Sequence, residues 1–286
     1  MKIKHLKEII VSIKDIVKYG GVTKIKVTEI PKANKLFSQD TVVLVTGGTR
    51  GIGKEIAKQF AEAGATVIAT GRNVDHTQTE TITKNEESGG KILFLSWDIS
   101  DVSCVETKLR EAELLAGNEI SILINNAGTY CTTHFPNCLP EDWDAVYSTN
   151  VKGAFFLTQA ICKRWLKSSP RQSPRKIINI ASQGGFVGAN NPYRMTKWDL
   201  RGFTQFLGIA YSKKGIIANA IAPGIIVTDM QPQFQKQEDN YYTDHNPVHR
   251  LGLPLEIASL AIFLASDAAN FIIGQTICCD GGYSLK

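Results

Sequence analysis

From Thr41 onward, short uninterrupted apolar runs alternate with longer stretches in which apolar residues return every three or four positions. The short runs lie at 42–46, 66–70, 92–97, 121–125, 176–181, 216–221 and 276–279, and most are rich in Val and Ile. Such runs, without a polar residue at every second place, predict strands buried on both faces. The longer stretches, roughly 52–63, 101–116, 141–167, 192–213 and 255–266, carry the helical period. Strand and helix in alternation predict an α/β fold: a parallel sheet of about seven strands with helices on both faces. Right-handed crossovers make that sheet doubly wound.

Residues 1–40 differ from the rest and predict an N-terminal extension ahead of a single domain, 41–286. The first 35 residues hold nine lysines against Glu8, Asp15 and Glu29. Ile9, Ile10, Ile13, Ile16 and Val17 recur at helical spacing among Lys7, Lys14 and Lys18. A short helix packing on the domain or on a sister subunit is the preferred reading; a helix lying on a membrane surface is the alternative. A second polar stretch, 228–250, is long for a connection inside a compact domain and reads as a lid.

At 286 residues with 43% apolar content, the chain can bury a sizeable core. A net charge of +5, with its charges dispersed outside the N-terminus, argues against a nucleic-acid partner. No apolar run approaches the ~18 residues of a membrane span. Six cysteines without a C-x-x-C pair predict reduced thiols, no metal site and a cytoplasmic protein.

The first chemical signal follows the first strand. Gly47-Gly48-Thr49-Arg50-Gly51-Ile52-Gly53 leads straight into a helix. Glycines there let backbone approach a pyrophosphate, and the helix N-terminus offers N–H groups and partial positive charge to the anion. The end of the second strand tells nucleotides apart. NAD sites place a carboxylate there to bond the ribose 2′-hydroxyl, whereas NADP sites use Arg. Here the strand ends Ala69-Thr70-Gly71-Arg72-Asn73, so Thr70 stands in place of the acid, with Arg72 close behind and Arg50 in the turn. Two guanidiniums favour a 2′-phosphate and hence NADP(H). Asp75 could supply the missing carboxylate for NAD(H), the less favoured cofactor.

The second signal is Tyr193 and Lys197 in NPYRMTKWDL, four residues apart on one helical face. An ammonium beside a phenol favours the phenolate, which predicts a Tyr193 able to exchange a proton nearer neutral pH than its usual ~10.

Together these segments resemble the short-chain dehydrogenase/reductase superfamily in its single-domain branch, a Rossmann-type fold. The resemblance runs from about Thr41 to Tyr283. Thr46 to Gly53 is similar to the family's T-G-x-x-x-G-x-G turn, and Asn125-Asn126-Ala127-Gly128 to its N-N-A-G segment. Tyr193 and Lys197 match Y-x-x-x-K, Pro223-Gly224 with Thr228 resembles P-G-x-x-x-T, and Asp280-Gly281-Gly282 resembles the closing D-G-G. The resemblance implies cofactor contacts at Gly47, Thr49, Arg50, Gly51, Ile52 and Gly53. Further along it implies Arg72, Asp98 and Ile99, then Asn126, Ala127 and Gly128. Tyr193 and Lys197, with Pro223, Gly224, Ile226 and Thr228, complete the set. The implied catalytic residues are Asn150, Ser182, Tyr193 and Lys197, with Asn150 holding a water that links Lys197 to solvent. Ser182 and Tyr193 are 11 residues apart, a tighter loop than the family's more usual 12 or 13.

The expected reaction is hydride transfer between a nicotinamide and a carbonyl or secondary alcohol. Tyr193 would be the general acid or base, Lys197 its modulator, and Ser182 the donor to the substrate oxygen. The substrate pocket would draw on Tyr130, His134, Phe135, Phe186, Val187, Phe234, Tyr241, Tyr242 and His245. Its mixed character suits a medium-sized, partly apolar substrate. The nearest look-alikes are 3-oxoacyl-carrier-protein reductases, gluconate 5-dehydrogenases, polyol dehydrogenases and hydroxysteroid dehydrogenases. Two rivals, a sugar-nucleotide epimerase or dehydratase and a non-catalytic NADP sensor, fit less well. The former usually adds a C-terminal domain, and the latter need not keep all four polar residues. Family analogy also implies a homo-oligomer, a dimer or tetramer, paired through helices near 141–167 and 192–213.

Overall fold

The computed structural model describes residues 36–74, 79–81, 89–169, 171–228 and 245–285. The expected N-terminal helix therefore lies outside the described residues, as do residues 229–244 of the expected lid.

Seven parallel strands form where the apolar runs predict them: β1 (Val42–Val45), β2 (Thr66–Gly71), β4 (Lys91–Ser96), β5 (Ile120–Asn125), β6 (Arg175–Ile180), β7 (Ile216–Pro223) and β8 (Thr276–Cys279). An unanticipated strand, β3 (Thr79–Thr81), pairs antiparallel with β4 at one edge. Three residues reading Thr-Glu-Thr carry no apolar pattern from which a strand could be read. The sheet order is β3-β4-β2-β1-β5-β6-β7-β8. Among the parallel strands, chain order runs outward from β1 to one side, then restarts at β5 and runs outward to the other. The loops after β1 and β5 consequently leave a crevice between them at the carboxyl ends of the strands, where ligands bind in open sheets of this kind.

Residue parity divides each strand between two cores. Val43 and Val45 of β1 join Phe60 and Ile56 of α1 (Gly51–Glu62) and Ile257 and Leu264 of α6 (Pro254–Ala265). Val42 and Leu44 face the other way, toward α2 (Val105–Ala116), α4 (Ala154–Trp165) and α5 (Pro192–Tyr211), where they meet Leu109, Leu157 and Leu207. Continuous apolar strands are needed because both faces are covered. Phe60 is fully buried at the centre of the first core, and truncating such a ring to Ala typically costs about 3–5 kcal/mol.

Helix boundaries follow local chemistry. The Asn191 side chain accepts from the Arg194 N–H at 2.9 Å and Pro192 occupies the first turn, so α5 begins just before Tyr193. Gly117 ends α2 in the left-handed conformation at φ 75°. The single helix expected over 141–167 is interrupted. It consists of α3 (Pro140–Tyr147), a wide π turn at Ser148–Gly153, and α4.

Candidate active site

The turn after β1 is shaped by glycine. Gly47 and Gly51 hold φ of 63° and 54°, a region open to glycine at no steric cost. A Cβ on Gly53 would collide with the Gly47 carbonyl and the Asn126 side chain, and one on Gly48 would lie 2.9 Å from Ala69. The Thr46 hydroxyl accepts the backbone N–H groups of Asn126 and Ala127, each at 3.0 Å. Asn126 Nδ2 donates back to the carbonyls of Thr46, at 2.9 Å, and Gly47, at 3.0 Å. The turns after β1 and β5 are thus bolted together across the crevice. Arg50 precedes α1 without capping it through its side chain, and no acid lies in the first turn. This helix end suits a phosphate anion, so the residues present fit a dinucleotide.

Thr49 packs its hydroxyl over Gly71 at the end of β2. No acid occurs from Thr70 to Val74, and Arg50 and Arg72 are both exposed, with no carboxylate partner among the described residues. Asp75 lies outside the described residues. Asp98 accepts from the Ser100 N–H and hydroxyl at 3.0 and 2.7 Å, and Ile99 behind it is buried. On the other side of the crevice, Pro223 closes β7 and the Gly224 N–H donates to the Cys279 carbonyl at 3.0 Å. A Cβ on Gly224 would fall 2.8 Å from Asp280 Cα, so this turn lies directly on the closing D-G-G segment. Ile226 pairs with Gly252 in an isolated bridge. Thr228 reaches the glycine turn itself, with Cγ2 3.5 Å from the place of a Cβ on Gly51.

The four expected catalytic residues converge beyond Gly128. A Cβ there would lie 3.4 Å from Asn150 Oδ1 and 3.8 Å from Lys197 Nζ. Lys197 is buried, donates to the Ile180 carbonyl at 2.9 Å and lies 5.4 Å from the Tyr193 ring centroid. Ser182 lies close enough to Tyr193 to draw its phenol downward, so the tight 11-residue connection does bring the two side chains to one site. The π turn directs Asn150 inward. Its Oδ1 accepts the Thr129 N–H at 2.8 Å, while Nδ2 donates to the Thr129 carbonyl at 3.0 Å and the Thr196 hydroxyl at 3.1 Å.

One expectation is corrected. Lys197 was expected to pull the Tyr193 phenol downward; burial instead pushes it above its ordinary range. The opposing influence comes from the Ser182 hydroxyl, while the neighbouring Tyr130 phenol adds to the rise. Burial alone lowers Lys197 to about 8. Desolvation penalises the charged form of each group, which raises the phenol and lowers the ammonium.

Sequence reasoning missed Thr129 and Thr196, which orient Asn150, because neither belongs to a spaced motif. Tyr130, expected only as pocket lining, stands edge-on to Tyr193 with ring centroids 5.2 Å apart. Of the other pocket residues, Phe135 is 79% exposed, Phe186 and Val187 are half-buried, and His134 and His245 are exposed. Phe234, Tyr241 and Tyr242 lie outside the described residues.

Residues 47–284 match a family model described as enoyl-(acyl carrier protein) reductase. The chain is similar to the 3-oxoacyl-(acyl-carrier-protein) reductase FabG of Chlamydia trachomatis, at 35% identity over 241 residues, covering 84% of this chain and 95% of that protein. Among solved structures it resembles a 3-oxoacyl-(acyl-carrier protein) reductase from Brucella melitensis in complex with NAD. That match has a TM-score of 0.78 and 30% identity, covering 87% of this chain and 99% of the other. It also resembles a gluconate 5-dehydrogenase from Burkholderia cenocepacia in complex with NADP and tartrate. There the TM-score is 0.76 and the identity 28%, covering 89% of this chain and 99% of the other.

Proposed function

The chain belongs to the short-chain dehydrogenase/reductase family, and we propose that it is an NADP(H)-dependent reductase of 3-oxoacyl or related ketone substrates. As a member it is an oxidoreductase that moves a hydride between a nicotinamide and a carbonyl or secondary alcohol. Relatives hold either NAD or NADP, so the choice rests on this chain's own residues. Exposed Arg50 and Arg72 flank a strand end without an acid, which supports a 2′-phosphate.

The observation that carries the reading is the convergence of buried Lys197, 5.4 Å from the Tyr193 ring centroid, with Asn150 across Gly128 and Ser182 acting on the phenol. When bound, the nicotinamide supplies or accepts the hydride. The Thr46–Gly53 turn and the α1 N-terminus would hold the pyrophosphate, and the region around Gly128, Gly224 and Thr228 the nicotinamide end. Ser182 Oγ accepts the Gly184 N–H at 3.1 Å, leaving its own proton to donate toward a substrate oxygen as negative charge develops there. Tyr193 gives its proton to that oxygen in reduction and takes it back in oxidation. Lys197 keeps a proton source beside the phenol, and Asn150, braced by Thr129 and Thr196, supports that end of the cleft.

The same reading makes the protein a homodimer or homotetramer. It also places the protein in the cytoplasm, where reducing conditions suit its six free cysteines. Among the described residues no helix is long and apolar enough to cross a membrane. A sugar-acid substrate is the second reading, favoured by the likeness to the gluconate 5-dehydrogenase.

The test is NADPH and NADH oxidation with acetoacetyl-CoA and 5-keto-D-gluconate as separate probes. Wild-type protein is expected to prefer NADPH and acetoacetyl-CoA. Tyr193→Phe should lower kcat by at least ~10²-fold while NADPH binding, followed by fluorescence, is retained. Unchanged turnover in this variant removes Tyr193 from the mechanism.

A further inference from the structure

We propose that Arg201, with Trp198 and Arg194 beside it, is a positioning residue that clamps the loop after Ser182 to α5 and so sets the Ser182 hydroxyl against Tyr193. This rests on the acid–base reading of Tyr193 given above. Residues 194, 198 and 201 fall at spacings of four and three along α5, on one helical face. Each donates to a backbone carbonyl of the same short loop. Arg194 Nη1 bonds Gly188 at 3.0 Å, Trp198 Nε1 bonds Val187 at 2.9 Å, and Arg201 Nη1 bonds Gly185. The Arg201 guanidinium also lies 3.7 Å from the Phe186 ring centroid and 4.6 Å from that of Trp198. One aromatic ring comes from the loop and the other from the helix, so a single planar cation joins the two elements.

The loop has little room to settle elsewhere. A Cβ on Gly185 would lie 2.8 Å from the Lys197 carbonyl, so its backbone rests directly on the turn of α5 that carries Lys197. Ser182 opens the same loop. Its carbonyl accepts the Gly185 N–H at 2.9 Å and its Oγ accepts the Gly184 N–H at 3.1 Å. Holding Gly185 therefore holds the serine three residues before it. Within the 11 residues from Ser182 to Tyr193, the three donors fix the backbone at Gly185, Val187 and Gly188. The glycine turn that would hold the pyrophosphate belongs to other elements, so the effect should fall on the chemical step rather than on nucleotide affinity.

The experiment is a double-mutant cycle on kcat. It uses NADPH with whichever of acetoacetyl-CoA and 5-keto-D-gluconate the wild type reduces. Ser182→Ala is expected to lower kcat by about 100-fold, and Arg201→Leu by about 10-fold, through misplacement of the hydroxyl. The NADPH Kd of Arg201→Leu should stay within about twofold of wild type, and adding Arg201→Leu to Ser182→Ala should change kcat by less than about twofold. Loss of the serine's downward influence on the phenol should also move the alkaline limb of the kcat profile upward in both single variants. Arg201→Lys, which keeps the charge without the planar fork, should recover part of the rate. If Arg201→Leu does not fold, Trp198→Phe carries the same cycle with a smaller loss, about threefold, since it keeps the ring and deletes only the donor to Val187. Equal losses in both backgrounds, or a loss confined to NADPH affinity, overturn the clamp. An active Tyr193→Phe overturns the underlying acid–base reading; an inactive one with an additive cycle overturns only the clamp.

Discussion

Lys197 lies inside the protein with its ammonium on the Ile180 carbonyl, and burial lowers its pKa from 10.5 to about 8. Between those values the unfolded chain binds a proton that the folded protein does not, so this group's contribution to stability rises with pH across that window. Below pH 8 the burial penalty is present in full, on the order of 3 kcal/mol. Lys197→Met removes the penalty together with the hydrogen bond, and only the penalty depends on pH. Urea denaturation of the two proteins should show wild type gaining on the variant as pH rises from 8 toward 10.5. A difference that stays flat across that range would mean that Lys197 is not depressed. Function thus keeps at this position a residue that stability alone would not select.

The helix pair α3 and α4 shows how an element can position one side chain by departing from regularity. A π turn holds one residue more than an α turn, and such turns are frequent at functional sites. Here it turns Asn150 onto Thr129 and Thr196 while the flanking helices keep their own packing, with Val146 and Leu157 buried on either side. Deleting Thr149 should convert the segment to regular helix and rotate Asn150 by about 100° away from the crevice. Circular dichroism is expected to show the helix content kept while kcat falls by about 10²-fold. An active deletion variant would show that the inward asparagine is dispensable. The apolar period over 141–167 could not reveal this turn, because one inserted residue barely disturbs a repeat of three to four. The strand β3 was missed for a related reason: its edge pairing is made by backbone, with no apolar signature.

At the scale of the whole described domain, aromatic surface is left on α4 and α5. Phe155 and Phe156 are 40% and 39% exposed, Phe206 56% and Ile209 77%. A cleft of 460 Å³ opens on the same side, lined by Asp144, Tyr147, Ser148, Val151, Lys152, Phe155 and Phe156. It lies apart from Tyr193 and on the helices through which a second copy of the chain is expected to pair. Exposed apolar surface of this kind marks an interface. Phe156→Glu combined with Phe206→Glu should therefore reduce the mass measured by light scattering to that of the monomer, with the circular dichroism spectrum preserved. A wild-type protein that is already monomeric at micromolar concentration would refute this pairing.

Much of the protein was decided along the chain. Continuous apolar strands in alternation with amphipathic helices dictate a covered parallel sheet, because only that arrangement buries both strand faces. Glycines after β1 mark a tight turn, because side chains at Gly48 and Gly53 would strike Ala69, Gly47 and Asn126. Tyr193 and Lys197 share a face by helical spacing alone. Other properties arise only when distant segments meet. Thr46 locks onto Asn126 and Ala127 across a separation of about 80 residues, Thr129 and Thr196 orient Asn150, and α5 side chains grip the loop carrying Ser182. The protonation behaviour of Tyr193 and Lys197 belongs to this second group. Spacing records which charges are neighbours, whereas the energy of a charge depends on how much water the folded protein removes from around it.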